Sequence, residues 1–383
     1  MKKRFLAAIL CAVLLVPFAA ATEAAGNVPG APQVDAGAAV LMEKETGAIL
    51  YENHAHDKLE PASVTKVMTL LLVMEALDSG QLKLDDVVTV STRAASMGGS
   101  QVYLKEGEQM TVNDMLKAVA VASGNDAAVA LAEHLCGSEE GFVARMNQRA
   151  AELGMKDTNF VNCTGLPAAG HLTSAYDIAL MSRELLRHPD IRNYTTIWMD
   201  TLRNGQFQLA NTNKLVRYYE GCTGLKTGST DSALYCLSAT AEREGMELIA
   251  VVLKSPTSTQ RFESAKTLLS FGFANYTLLD VKPDTAIPPV TVNMGVLQQV
   301  QPVLEGGSRI LVQKSELNSV TTTLRLTDSV EAPVEKGQRL GRMVISVNGE
   351  ERQTIDLVAD QGVDRLTLPG IFTRLLGSLL MAG

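Results

Sequence analysis

The sequence has little of what marks a nucleic-acid-binding or metal-binding protein. Its formal net charge is −8 and it contains no long basic block, so a nucleic-acid partner is not expected. It has no C-x-x-C pair and no cysteine with a histidine at ligand spacing, so it predicts no zinc site. Internal repeats and low-complexity tracts are also absent, and the 46% apolar and 20% charged residues indicate a packed globular chain.

The apolar run near the start of the chain is too short and wrongly flanked to span a membrane. Lys2, Lys3 and Arg4 precede apolar residues from Phe5 to Phe18, and the small residues 19–21 follow. This order predicts a secretory signal peptide over residues 1–21 rather than a buried helix. We therefore expect an exported protein that works outside the cytoplasm.

Cysteines are scarce once this leader is removed. The four that remain are Cys136, Cys163, Cys222 and Cys236. An even number in an exported chain permits disulfides, and Cys222 could face Cys236 across a hairpin. Buried free thiols are the interpretation we favour.

About 360 residues remain after the leader, enough for two domains. Three prolines fall within residues 281–289, and we place the domain boundary there. Strand patterns lie near both ends of residues 33–280 with helical patterns between them, which predicts an α/β domain with an antiparallel sheet assembled from distant segments. Short alternating runs separated by turn residues predict a small all-β domain over residues 281–366, without a helix before about residue 366.

The last segment, residues 367–383, has a helical apolar pattern. Ile371, Phe372, Leu375 and further leucines fall on one face, and Thr373 and Arg374 lie on the other. A twelve-residue helix is roughly 18 Å long and cannot cross a bilayer. We expect this amphipathic tail to lie in the membrane surface, with docking on the protein's own core as the alternative.

Three short motifs carry the candidate chemistry. Ser63 and Lys66 form the chain's S-x-x-K, and a lysine three residues away on a helix reaches the serine hydroxyl and can activate it if its pKa is lowered. Such a pair alone is more often an ordinary helix N-terminus. Ser123 and Asn125 flank Gly124 between two helical segments, 60 residues after Ser63. A second S-x-N, at Ser346, is interpreted as accidental.

The third motif lies on a predicted strand 103 residues after Ser123. It consists of Lys226, Thr227 and Gly228, followed by Ser229. A lysine and a threonine hydroxyl together suit a carboxylate, and the glycine would let a ligand approach the backbone.

In this order the motifs resemble those of the low-molecular-mass penicillin-binding proteins that act as D-alanyl-D-alanine carboxypeptidases, including sporulation-associated members. The resemblance covers nearly the whole chain after the leader. It is carried by the segments AAVLMEKETGAILYENHAHDKLEPASVTKVMT, VASGNDAAVALAEH and GLPAAGHLTSAYD. It implies a β-lactamase/transpeptidase-like α/β catalytic domain, followed by the all-β domain and the tail. Pro167 departs from the family pattern, where an aspartate is expected, and Ser229 stands where bulkier residues are commoner.

The resemblance also implies roles for the motif residues. Ser63 would attack the peptidoglycan pentapeptide that ends in D-Ala-D-Ala, Lys66 would take its proton, and Ser123 would relay a proton to the leaving D-alanine. The substrate-binding residues would be Asn125, Lys226, Thr227, Gly228 and Ser229, with the N–H groups of Ser63 and Ser229 as an oxyanion hole. No metal or organic cofactor is needed. β-Lactams would be covalent inhibitors. The protein would act at the outer face of the cytoplasmic membrane.

Other readings remain open beside this one. A β-lactamase of class A would use a glutamate to activate the deacylating water, but the segment NFVNCTGLP contains no acid. A non-catalytic cell-wall-binding protein or a structural surface protein would need an unreactive Ser63. His171 is a weak candidate for a base, because the neighbouring Ser174 and Asp177 already explain the loop as a helix cap. Arg261 is a weaker candidate for an extra cation near the substrate terminus.

Overall fold

The structure is a computed structural model that describes residues 30–372. The predicted leader over residues 1–21 lies outside the described residues, and so does most of the predicted tail. Within the described residues no helix is long and apolar enough to span a membrane.

The larger domain is built on a five-stranded antiparallel sheet in the order β2-β1-β9-β8-β7. Two two-stranded antiparallel sheets, β3–β4 and β5–β6, are separate from this sheet. The strands are β1 (Ala38–Glu43), β2 (Ile49–Asn53), β3 (Val87–Thr89), β4 (Gln109–Thr111), β5 (Met199–Leu202), β6 (Phe207–Ala210), β7 (Cys222–Thr230), β8 (Leu234–Arg243) and β9 (Met246–Ser255). The first hairpin thus pairs with strands about 200 residues later, which confirms the predicted sheet from distant segments.

The helices of this domain are α1 (Lys66–Asp78), α2 (Thr92–Ala95), α3 (Val112–Ala122), α4 (Asn125–Cys136), α5 (Glu139–Glu152), α6 (Ala175–Leu185), α7 (Arg192–Thr195), α8 (Leu215–Tyr218) and α9 (Ser258–Asn275). Two short 3-10 helices, Ala62–Thr65 and Pro189–Ile191, accompany them. Side-chain caps begin several helices, as where Ser174 accepts from the Asp177 N–H at the start of α6. The helix α1 buries ten of its thirteen residues, so it runs through the interior.

The sheet is covered on both faces, because alternate residues of β1 enter different apolar clusters. Ala38, Val40 and Met42 pack in the cluster that includes α1, α3 and α4. Ala39 and Leu41 pack in the cluster that includes α9. A strand with two buried faces reads as a continuous apolar run, as AAVLM does here.

The second domain consists of short strands in small sheets, as predicted. They are β10 (Tyr276–Asp280), β11 (Val290–Asn293), β12 (Gln299–Val300), β13 (Pro302–Leu304), β14 (Arg309–Gln313), β15 (Val320–Leu326), β16 (Ser329–Glu331), β17 (Arg339–Val347) and β18 (Glu350–Ala359). They form the sheets β10-β14, β12-β11-β16 and β13-β18-β17-β15. A 3-10 helix, Lys314–Ser319, interrupts them where the sequence predicted no helix.

The junction between the domains differs in detail from the predicted boundary at residue 281. Strand β10 ends immediately before that position, yet all five of its residues pair with β14 of the second domain. An ion pair of 3.1 Å between Arg309 and Glu45 also joins the two domains. The strand before the proline-rich segment is therefore hydrogen-bonded to the second domain.

The cysteines contradict the alternative of a hairpin disulfide. Cys222 on β7 pairs with Ala241, and Cys236 on β8 pairs with Gly228, so the two thiols do not face one another. The four cysteines of the described chain are free, and Cys163 and Cys236 are buried. This agrees with the interpretation that the sequence favoured.

Candidate active site

Ser63 lies in a 3-10 helix rather than in the α-helix that the sequence predicted. The α-helix α1 begins only at Lys66, because residues 62–65 form the tighter turn. In a 3-10 helix the side chains at i and i+3 eclipse one another. The Lys66 Nζ therefore lies 2.9 Å from the Ser63 Oγ. Ser63 is the partly accessible member of the pair, whereas Lys66 is fully buried.

Three oxygen atoms surround the Lys66 amine. Besides Ser63 Oγ, they are Asn125 Oδ1 at 2.6 Å and the Thr164 carbonyl at 2.7 Å. Burial lowers the pKa of Lys66 to about 7, although Cys163 and Asp126 oppose this shift. A neutral amine has two N–H groups and one lone pair. When the amine is neutral and donates to Asn125 and Thr164, its lone pair is left to accept from the Ser63 hydroxyl.

Ser123 and Asn125 lie in the turn between α3 and α4, and Asn125 contacts the Lys66 amine. Ser123 ends α3 with a left-handed backbone (φ 62°), and Asn125 begins α4. Both side chains are buried. Within residues 30–372 the buried Ser123 Oγ has no hydrogen-bond partner. The second S-x-N, at Ser346, lies on β17 of the other domain.

The loop before α3 is attached to this turn by backbone and side-chain bonds. The Asn125 Nδ2 donates to the Gly98 carbonyl at 2.7 Å, and the Asn125 N–H donates to the Ser100 carbonyl at 2.7 Å. The buried carboxylate of Asp126 accepts from the N–H groups of Val102 and Leu104. Asp126 was not predicted as a site residue, although it directly follows the S-G-N motif.

Strand β7 brings the K-T-G motif beside Ser63. Lys226 is fully buried, and its Nζ donates to the Thr227 carbonyl at 2.9 Å. Burial, with the positive charges of Lys66 and Arg261, holds the pKa of Lys226 well below its usual range. The Thr227 hydroxyl donates to the Thr212 hydroxyl at 2.7 Å.

At Gly228 a side chain would collide with neighbouring backbone, which the sequence did not reveal. A Cβ at this position would lie 2.8 Å from the Pro61 carbonyl and from the Ser63 nitrogen. The close neighbour is therefore the backbone around the nucleophile, not a ligand. Ser229, the next residue on β7, is exposed.

Arg261 reaches the same strand from α9. Its guanidinium donates to the carbonyls of Gly228 and Cys236 and lies over the Tyr235 ring at 5.4 Å. Burial lowers the pKa of Arg261. The side chain thus supports the end of β7 behind the K-T-G motif.

The loop with Thr164 and Gly165 completes the site, and sequence patterns did not identify these residues as part of it. A Cβ on Gly165, which has φ +84°, would lie 1.9 Å from the Ala62 carbonyl oxygen. The Thr69 hydroxyl donates to the Cys163 carbonyl at 2.7 Å and holds the loop against α1. A backbone acceptor such as the Thr164 carbonyl leaves no pattern in a sequence; only the family-like segment GLPAAG indicated this region.

His171 has a structural role in the same loop. One ring nitrogen lies 2.8 Å from the Thr65 hydroxyl, and the other accepts from the Val161 N–H at 3.0 Å. Burial lowers its pKa to about 4, so the ring is neutral at pH 7. It does not hydrogen-bond to Ser63 or Lys66.

Neither a cluster of metal ligands nor the cavity between the two domains coincides with these residues. No cluster of three or more metal-ligating side chains occurs in the described part of the chain. A cavity of ≈ 660 Å³ lies elsewhere, between β1, α6 and the second domain, and Lys44, Arg183 and Arg309 line it. The site is therefore identified by its buried polar groups and not by cavity size.

Residues 25–257 match the family model described as Peptidase S11, D-alanyl-D-alanine carboxypeptidase. The chain belongs to this family. Residues 280–365 match the C-terminal domain of penicillin-binding protein 5. All three motifs lie in the carboxypeptidase segment.

Similar proteins of this carboxypeptidase family extend over nearly the whole chain. D-alanyl-D-alanine carboxypeptidase DacF of Bacillus subtilis is 40% identical over 382 residues, which cover 98% of each chain. D-alanyl-D-alanine carboxypeptidase DacA of Escherichia coli is 31% identical over 346 residues, covering 88% of this chain and 85% of the relative.

Solved structures agree with both domains. Penicillin-binding protein 5 of Haemophilus influenzae superposes with a TM-score of 0.77 at 31% identity, covering 88% of this chain and 99% of its own. Penicillin-binding protein D2 of Listeria monocytogenes, solved in its ampicillin-bound form, has a TM-score of 0.58 at 34% identity. It covers 63% of this chain and 100% of its own.

Proposed function

We propose that this member of the carboxypeptidase family removes the terminal D-alanine from peptidoglycan stem peptides that end in D-Ala-D-Ala, through an acyl-enzyme on Ser63. One observation carries the proposal: a buried lysine amine with a pKa of about 7 lies 2.9 Å from the hydroxyl of a partly accessible serine. A serine needs such a base, and a lysine serves only when it is neutral.

In the acylation step the neutral Lys66 amine takes the Ser63 proton while the Oγ attacks the carbonyl carbon of the penultimate D-alanine. The oxygen of the tetrahedral intermediate accepts from the N–H groups of Ser63 and Ser229, each worth about 3 kcal/mol. Their positions are supported by the contact of Gly228 with the Ser63 nitrogen.

Collapse of the intermediate breaks the peptide bond, and the departing nitrogen needs a proton. Ser123 donates its hydroxyl proton to this nitrogen and is reprotonated from the Lys66 ammonium. The Ser123 Oγ suits this relay because it is buried and lacks a partner within the described residues. Water then attacks the ester on Ser63 while Lys66 takes a proton from it. The bond between the Ser63 Oγ and the acyl carbon breaks, Lys66 returns the proton to the Oγ, and the shortened peptide leaves.

Lys226 and Thr227 bind the terminal carboxylate of the substrate. The pKa of Lys226 is low in the empty site, but an approaching anion favours the ammonium form and restores the charge. Asn125 orients the Lys66 amine through its Oδ1, and Gly228 keeps β7 close to the nucleophile. This local cation is what an acidic protein needs for an anionic substrate.

Penicillins are proposed to acylate the same serine and to leave slowly. Among residues 30–372, no carboxylate hydrogen-bonds to Ser63 or Lys66. A deacylating glutamate of the class A kind therefore has no counterpart in contact with this pair. The ampicillin-bound form of the Listeria protein is consistent with such an inhibitor.

We also propose that the chain is exported and works at the outer face of the cytoplasmic membrane. The charged, apolar and small-residue order of residues 1–21 supports export. The apolar face of residues 371–382 supports a contact with the membrane surface.

The test is labelling with a fluorescent penicillin, with the adduct located by peptide mass spectrometry. We expect a stable adduct on Ser63 that is absent in Ser63→Ala. Ser123→Ala should label slowly, whereas Ser346→Ala, the other S-x-N serine, should label like the wild-type protein. D-Alanine release from a D-Ala-D-Ala peptide is then measured for all four proteins.

The other outcomes separate the alternatives. Rapid turnover of penicillin without an adduct would identify a β-lactamase. A folded protein that reacts with neither penicillin nor peptide would have a binding or structural role.

A further inference from the structure

The second domain exposes a small apolar loop at its edge. Between β11 and β12 the side chains of Met294, Val296 and Leu297 are 43%, 47% and 44% exposed. The loop is held in a defined shape, because the Val292 N–H donates to the Gln298 carbonyl at 2.8 Å and closes the turn. Apolar side chains grouped on an ordered loop tip usually mark a contact surface.

This loop lies directly beside the start of the tail. The Leu366 N–H donates to the Met294 carbonyl at 2.7 Å, and the Val296 N–H donates to the Asp364 carbonyl at 2.9 Å. Leu368 follows two residues later, at most about 7 Å along the chain. Leu368 and Phe372 are 83% and 68% exposed, so the loop and the chain after Leu366 present apolar side chains at one edge of the domain.

We propose that the loop at residues 294–297 inserts into the lipid surface beside the tail, as a second apolar contact with the membrane. This inference rests on the membrane-surface location proposed above. The continuity of the loop with the tail favours lipid as the occupant. A stable protein partner would need about 800 Å² on each side, far more than three half-exposed side chains supply. Shallow insertion at the acyl boundary requires only side chains of this kind.

The full-length protein tests the proposal by sedimentation with phosphatidylcholine/phosphatidylglycerol vesicles. We expect the double variant Met294→Ser/Leu297→Ser to lower the partition coefficient about tenfold, because two partly exposed apolar side chains no longer enter the lipid. Leu317→Ser is the matched control. Leu317 is 39% exposed, but it lies in the 3-10 helix next to α9, away from the loop, and its replacement should leave partitioning unchanged.

A second measurement does not depend on the double variant folding. The chain has one tryptophan, so Leu297→Trp adds a single reporter against a constant background. Its emission should shift to shorter wavelength when vesicles are added, and that of Leu317→Trp should not.

Three results would overturn the proposal. In the first, the double variant partitions like the wild-type protein. In the second, its melting temperature falls without a change in partitioning, which would mean that the tail covers the loop. In the third, the wild-type chain does not bind to vesicles at all, which would contradict the proposed contact of the tail with the membrane as well. D-Alanine release from a soluble peptide is measured in parallel, and its loss in the wild-type protein would contradict the catalytic proposal separately.

Discussion

At the scale of single residues, the Lys66 amine decides how the reaction depends on pH. Burial holds its pKa at about 7 in the folded protein, and only the neutral form can accept the Ser63 proton. The acylation rate should therefore rise with pH through about 7 and level off above it. Below that point the neutral fraction falls about tenfold per pH unit.

The measurement is the second-order rate constant for penicillin acylation across this pH range. Lys66→Arg should not label at any pH in the range, because a guanidinium stays protonated. The exposed Lys83→Arg should reproduce the wild-type profile. A rate independent of pH from two units below to two units above the inflection would contradict Lys66 as the base.

Gly165 shows how a residue without a functional group can control the site. In Gly165→Ala the positive φ costs about 1–2 kcal/mol, and the contact with the Ala62 carbonyl costs about 1–3 kcal/mol more. Gly170→Ala is the matched control, since Gly170 has a similar φ of +81° and its nearest neighbour is 3.8 Å away.

Both variants are compared by denaturant unfolding and by penicillin acylation. We expect Gly165→Ala to be the less stable and to acylate at least about tenfold more slowly, because Ala62 and Ser63 must shift. Equal stability and equal acylation in the two variants would mean that the loop does not press on the nucleophile.

At the scale of elements, the first turn of α4 holds the loop of residues 98–104 in place. Asp126 accepts from the N–H groups of Val102, Leu104 and Ala127 and is 1% exposed. Asp126→Asn should cost about 1–3 kcal/mol, because an amide cannot satisfy all these donors. It also removes a negative charge that raises the pKa of Lys66, so the rise in acylation rate should move to lower pH.

Asp114→Asn serves as the control, since Asp114 is the corresponding first-turn acid of α3. Its pH profile should match that of the wild-type protein. If Asp126→Asn is less stable but the pH profile of its acylation rate is unchanged, Asp126 holds the loop without affecting the pKa of Lys66.

How much of these elements could be predicted depended on the strength of their patterns. The helix α3 has strong patterns of this kind, since a cap at Thr111 precedes a regular apolar stripe. The hairpin β5–β6 was not predicted, because its strands have only four residues each. The nucleophile helix was predicted from Ser63, but Ala62 has a φ of +47° and residues 62–65 form a 3-10 turn.

The residues of the active site also divide into those with a sequence pattern and those without one. The motif side chains Ser63, Lys66 and Lys226 could be predicted because the three motifs follow one another along the chain in the order typical of the family. The carbonyl of Thr164 could not, since a backbone acceptor has no residue preference. The support of Gly228 by Arg261 depends on α9 packing against β8, the neighbour of β7, which only the fold shows.

At the scale of the whole molecule, the junction determines where the chain can be divided. Strand β10 pairs with β14, and Leu278 and Leu311 lie opposite one another in that pairing. The solved Listeria chain matches 63% of this chain with all of its own length, a share close to that of the larger domain. We therefore expect the catalytic domain to fold by itself if the cut respects the strand pairing.

Two truncated chains test this expectation. One ending at Asn275 keeps α9 and removes β10, and it should stay monomeric and release D-alanine from a soluble peptide at close to the full-length rate. One ending at Asp280 leaves β10 as an unpaired edge strand with exposed leucines, which favours pairing between chains. It should associate in size-exclusion chromatography, and equal behaviour of the two would mean that β10 belongs with the catalytic domain.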